Sequence, residues 1–181
     1  MSALQTGNRS GPVGSTDGLG RHREGLTVVE QGTELRLALR TGGRVEIRAR
    51  ANPDPTVMVA LWLIGFEEQP AESGEICVME IFGREIEQGG GLVGMGIHPW
   101  YDAALVDDFE KVRVDVDLTE YHDYAVEWDA DRTRYFIDGI PVKSSDQAPA
   151  YPMQLMLAVF EFEPGGSYPK TFEVARVLAF D

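Results

Sequence analysis

The chain has a single cysteine, Cys77, among 181 residues, so no intrachain disulfide can form and the disulfide framework of small secreted domains is excluded. Intrachain stability must therefore come from packing. Basic residues are scarce as well: 16 Lys and Arg stand against 30 Asp and Glu, a formal charge of -14. Such a surface repels phosphate backbones and anionic headgroups, which argues against nucleic acid and membrane surfaces as partners. A neutral polymer feels little of that field. Long apolar runs are also missing: the opening residues 1–10 hold no signal-peptide core, and no later stretch reaches membrane-spanning length. Taken as a native start, this predicts a cytoplasmic protein, whereas a trimmed secreted one would read the same way. Neither a fixed-period repeat nor a long charge block is present, which removes support for solenoids and propellers.

What is present is one domain's worth of alternation, with 43% hydrophobic residues, enough for a substantial core. Residues 1–22 are rich in Gly, Ser and Thr and read as a flexible tail or peripheral arm, with a single domain over 23–181. Beyond Leu26, strand-like blocks separated by turn residues fall near 26–30, 34–40, 43–51, 56–64, 75–82, 92–98, 111–117, 122–128, 132–138, 153–162 and 171–180. That many short strands predict an all-β fold, an antiparallel β-sandwich. The clearest hairpin joins Tyr124 to Trp128 with Thr133 to Ile137, followed by the turn pair Asp138-Gly139. In Arg44 to Arg50 the charges take one face, whereas Val57 to Ile64 is apolar on both and belongs at the centre of a sheet.

Within Gly74-Glu75-Ile76-Cys77-Val78-Met79-Glu80-Ile81-Phe82-Gly83, two carboxylates interrupt an apolar strand, where burial without partners is costly. A regular strand sends residues five apart to opposite faces, so Glu75 and Glu80 share a cleft only if a β-bulge near Val78 or Met79 absorbs one residue. With that bulge Glu75, Cys77 and Glu80 point one way. Two carboxyl groups about 5 to 5.5 Å apart are what a retaining glycosidase needs, one attacking the sugar and the other protonating the departing oxygen.

This segment resembles the signature of glycoside hydrolase family 16 in the bulged, laminarinase-like form Glu-x-Asp-x-x-Glu. The resemblance extends to Gly43 to Ala49, Ala60 to Leu63, His122 to Trp128 and Tyr151 to Leu157, covering roughly residues 40–165. It implies a concanavalin-like jelly roll with a concave substrate cleft, and a retaining endo-type hydrolase of a β-1,3- or mixed-linkage glucan. Glu75 would be the nucleophile and Glu80 the general acid/base. The family's aspartate is replaced by Cys77, an auxiliary position on the active strand. A thiol is a weak donor and resists ionisation beside carboxylates, so reduced or lost turnover is compatible with this residue. A second reading therefore stays open, a non-catalytic carbohydrate-binding or sensing module on the same fold. In both readings the partner is a polysaccharide or oligosaccharide, with Trp62, His98, Trp100 and Gln154 as candidate contacts.

Three of these contacts have a plainer counterpart: Trp62 as core, and His98 and Trp100 as exposed loop. His122 and Trp128 match family positions yet read as scaffold, and alternation does not fix whether Glu161 faces the cleft. The run Gly89 to Gly96 lacks the Lys-Ser/Thr of a phosphate loop and reads as a flexible hairpin connection. Asp107, Asp108, Asp115 and Asp117 form no metal motif, and neither a metal nor a cofactor is expected. A reactive-thiol role for Cys77 has no neighbouring histidine in sequence to support it.

Overall fold

A computed structural model describes residues 1–18 and 24–180. In chain order the strands are β1 Ser2–Gln5, β2 Gly7–Asn8, β3 Leu35–Arg36, β4 Leu39–Arg40 and β5 Gly43–Arg50. Next come β6 Val57–Gly65, β7 Glu75–Phe82, β8 Ile86–Glu87, β9 Gly90–His98 and β10 Glu110–Val114. The series ends with β11 His122–Trp128, β12 Thr133–Ile137, β13 Ile140–Ser145, β14 Met153–Glu161 and β15 Glu173–Phe180. One 3-10 turn, Gly83–Glu85, follows β7, and no described helix is long and apolar enough to cross a membrane.

Two antiparallel sheets face each other. The larger runs β1-β14-β6-β7-β9-β10, with β4 added to β14 and β8 to β9; the smaller runs β13-β12-β11-β5-β15. Alternation sends Val57, Val59, Leu61 and Leu63 of β6 inward, against Val45 and Ile47 of β5 and Tyr124 and Val126 of β11, all at most 1% exposed. As its apolar faces require, β6 lies inside the sheet between β14 and β7. Its outer face, Met58, Ala60 and Trp62, packs with Ala158 and Phe160 into a second apolar cluster on the cleft side. On β5 the charged face points outward, where Arg44 pairs with Glu46 and Glu127 at 2.8 Å and Arg48 with Asp123 at 3.1 Å. The Asp138-Gly139 turn takes left-handed φ values of 50° and 76°, the conformation a tight hairpin needs, and leads into β13, which the sequence reading omitted.

Several expectations change. Within residues 1–22, read as a tail or arm, Ser2 to Gln5 pairs with Val159 to Met156 and extends the larger sheet. Composition missed it because an edge strand is held by backbone hydrogen bonds, which small side chains permit. The boundary expected at residue 22 lies outside the described residues. Residues 26–30 form no strand: Val28 bonds instead to the backbone of Ser15 and Gly14. The strand expected over 34–40 splits into β3 and β4, because the amides of Leu37 and Ala38 turn to the Thr6 carbonyl. Gly89 to Gly96 is no flexible connection, since Gly90–His98 is a fully paired strand between β7 and β10. The strand expected over 111–117 ends at Val114, and Asp117 turns the chain by accepting hydrogen bonds from the Thr119 amide and hydroxyl.

Candidate active site

The bulge that the five-residue spacing demands is in β7. Against β6, Trp62 pairs with Cys77 and Leu61 with Met79; against β9, Cys77 pairs with Gly96 and Glu80 with Gly94. Val78 and Met79 thus share one position, and both side chains enter the core, 1% and 0% exposed. That leaves Glu75, Cys77 and Glu80 on the concave face, with one ligand-type atom of each lying within 4.8 Å of the others. Among the described residues these three form the one group of acidic, thiol or imidazole side chains close enough to share a cation. The glycines opposite keep the strand approachable. A Cβ at Gly94 would meet Phe109 Cζ at 2.5 Å and Glu80 Cβ at 3.2 Å, so only a bare backbone lets Phe109 lie beside Glu80.

Glu75 is 8% exposed, and its Oε2 accepts a hydrogen bond from the indole Nε1 of Trp100 at 2.7 Å. Trp100 sits in left-handed backbone, φ 47°, an unfavourable conformation for a bulky side chain that the surrounding turn must hold. Asp102 donates its amide to the Pro99 carbonyl, and the Tyr101 amide donates to Ser73 Oγ at 2.9 Å, which fixes the loop to the approach of β7. The Cys77 thiol lies 3.6 Å from Glu75 Oε1, within reach of a weak hydrogen bond. Burial, then the charges of Glu75 and Glu80, pushes that thiol well above its usual range, so it is a neutral, fully buried group. Glu80 is also shifted upward, first by burial and then by the negative charge of Glu75.

His98, paired with Glu75 across the β7–β9 ladder, stacks on Phe109 at 4.7 Å and lies 3.1 Å from Asp107 through Nδ1. Its ring is 5.6 Å from that of Trp100, so the sequence candidates His98 and Trp100 flank the carboxylates together. Trp62 is on the cleft face but only 7% exposed, packed against Phe160 at 5.7 Å. Gln154 does not face an open groove: it is 2% exposed, and a Cβ placed on Gly7 would come within 3.0 Å of its Cβ. Phe109 and Asp107 were missed as site residues, because they reach His98 from the β9–β10 connection and no periodicity marks them. Of the acidic residues set aside for metal binding, Asp108 accepts from the Ile97 amide at 2.7 Å and from the Ser145 hydroxyl. His122 bonds Asp138 at 2.6 Å on the smaller sheet, and Trp128 is buried in the core, both as scaffold.

The fold and this strand define a jelly-roll β-sandwich with a pair of carboxylates on the concave sheet. The family model described as glycosyl hydrolases family 16 matches residues 40–173, and the chain belongs to that family. Its curated relative, glucan endo-1,3-beta-glucosidase A1 of Niallia circulans, is 30% identical over 110 residues, which is 59% of this chain and 16% of the relative. Among solved structures, the GlcNAcα1-4Gal-releasing endo-β-galactosidase of Clostridium perfringens superposes with a TM-score of 0.70 at 21% identity, over 95% of this chain and 43% of that one. A laminarinase from Flavobacterium sp. superposes with a TM-score of 0.68 at 16% identity, over 99% of this chain and 79% of that one. The chain thus spans less than half the length of the curated relative and of the galactosidase, and the solved structures at these identities share its fold.

Proposed function

We propose that the chain is a retaining, endo-acting hydrolase of a β-linked glucan, with β-1,3 or mixed linkages. The observation that carries this reading is the bulged strand: Glu75 and Glu80 share one face with ligand atoms within 4.8 Å, close to the separation of about 5 to 5.5 Å used in double displacement. Glu75, held by Trp100, attacks the anomeric carbon as the glycosidic C–O bond breaks. Glu80 passes its proton to the leaving oxygen, and its raised pKa suits a group that must arrive protonated. In the second half-reaction Glu80 takes a proton from water, whose oxygen displaces Glu75 and releases the sugar. The glucan preference rests on the name of the Niallia circulans relative.

The test is product release from β-1,3- and mixed-linkage glucans by the native protein and by Glu75→Gln. Release by the native protein alone is expected; equal release from both would refute the assignment. A second reading, a binding or sensing module without turnover, is favoured by one feature, the neutral buried thiol of Cys77 between the carboxylates. Calorimetry with short glucan oligosaccharides that shows binding, together with absent turnover, would select it.

A further inference from the structure

Along the concave face, His98, Glu75, Ile64 and Gln154 stand opposite one another on four neighbouring strands. A glycan crossing the strands from the catalytic pair toward β14 follows this row, and it meets an obstruction. Thr6 continues the β1 ladder by donating its amide to the Leu155 carbonyl at 3.1 Å, while its hydroxyl accepts from the Leu155 amide at 2.9 Å and donates to the Ala38 carbonyl at 2.7 Å. Gly7 then passes over the sheet onto Gln154 and Phe66; a Cβ there would lie 3.0 to 3.1 Å from both. Behind it Arg36 of β3 lies 4.3 Å over the Phe66 ring and pairs with Glu68 at 2.6 Å. Arg9 ties the same segment to the Glu67 carbonyl at 2.5 Å. Under this segment Gln154 Oε1 is buried without a protein hydrogen-bond partner.

We infer that residues 6–9 and β3 form an end wall of the cleft, limiting how far a glycan extends on the β14 side of Glu75 and so determining product length. Resting on the hydrolase reading above, this places the wall two strand spacings from Glu75, about 10 Å. With Gln154 covered beyond Ile64, binding subsites accumulate on the His98 side of Glu75. The unpaired carbonyl of Gln154 is a latent sugar contact under the wall, not a contact in the structure as it stands.

Two variants test the wall, with laminarin-type oligosaccharides of increasing length as probes. Gly7→Leu wedges a side chain where Gln154 and Phe66 leave no room, and deletion of residues 2–8 removes the arm while leaving β14 paired with β6. Hydrogen exchange at the Leu155 amide reports that the arm has moved, and thermal unfolding reports that the sandwich has not. In the native protein, affinity should stop rising at a shorter oligosaccharide than in either variant, and the products of the variants should be longer on one side of the cut. The same length dependence of affinity is read by calorimetry if the native protein proves to bind without turnover, so failure of the hydrolase reading leaves this test intact. Identical affinity plateaus and products in the native protein and a variant whose Leu155 amide has become exchangeable would overturn the wall, as would absence of glycan binding in all three proteins.

Discussion

Replacing Trp100 by Phe removes one atom group of consequence, the indole N–H donated to Glu75 Oε2 at 2.7 Å, while keeping a ring and the left-handed backbone. A hydrogen bond to an ionised partner contributes about 1.5–3 kcal/mol. Trp100 is 43% exposed, so water can take up part of the lost donation, and the lower end, about 1.5 kcal/mol, is the appropriate figure. In the proposed mechanism the bond orients the attacking carboxylate, so the loss should fall on kcat: roughly tenfold at 1.4 kcal/mol per decade. Trp100→Gly loses the same bond but relieves the left-handed strain, so it should show a similar kcat with less destabilisation than truncation of a half-exposed ring alone would cause. The assay is steady-state hydrolysis of a soluble β-glucan, with thermal unfolding in parallel. A kcat within twofold of native for Trp100→Phe would refute the positioning role, and a rise in KM alone would make the ring a sugar contact instead.

Burial and the charge of Glu75 raise the pKa of Glu80 above its ordinary 4.5, so its contribution to stability is complete below that value and is lost as pH rises through the folded one. Glu80→Gln should therefore raise Tm near pH 7, with the gain shrinking as pH falls toward about 4.5 and absent below it; a gain constant with pH would contradict it. Cys77→Asp should increase kcat if the thiol is what slows the reaction, and an unchanged rate would shift weight to the binding-module reading. In the native fold the Cys77 thiol, 0% exposed, should resist thiol reagents until unfolding, which a labelling time course in denaturant reads directly. Trp62→Ala should cost about 3–5 kcal/mol in denaturant unfolding, since the ring is 7% exposed beside Phe160.

Much of the active strand was legible in sequence because side-chain direction in a strand has period two. The five-residue spacing of Glu75 and Glu80 forces either opposite faces or a bulge near Val78 or Met79, and the structure turns both of those side chains into the core. The two-sided apolar run of β6 fixed its central place for the same reason, and the charged face of β5 its outward side. Periodicity also fails in a definable way. It describes what a segment presents, and is silent about what lies across from it. Thus Gln154 has the right parity for the cleft face, yet Gly7, some 150 positions earlier, covers it.

Residue types and local alternation by themselves determined that this chain would stand on packing without intrachain disulfides and form antiparallel strands. The tertiary structure alone decided that the Trp100 indole would donate to Glu75, that Phe109 would lie under His98, and that the arm near Gly7 would cover Gln154 at one end of the row. Those contacts join residues through loops whose path depends on backbone hydrogen bonding and close approach at glycines, and neither leaves a periodic mark in the chain.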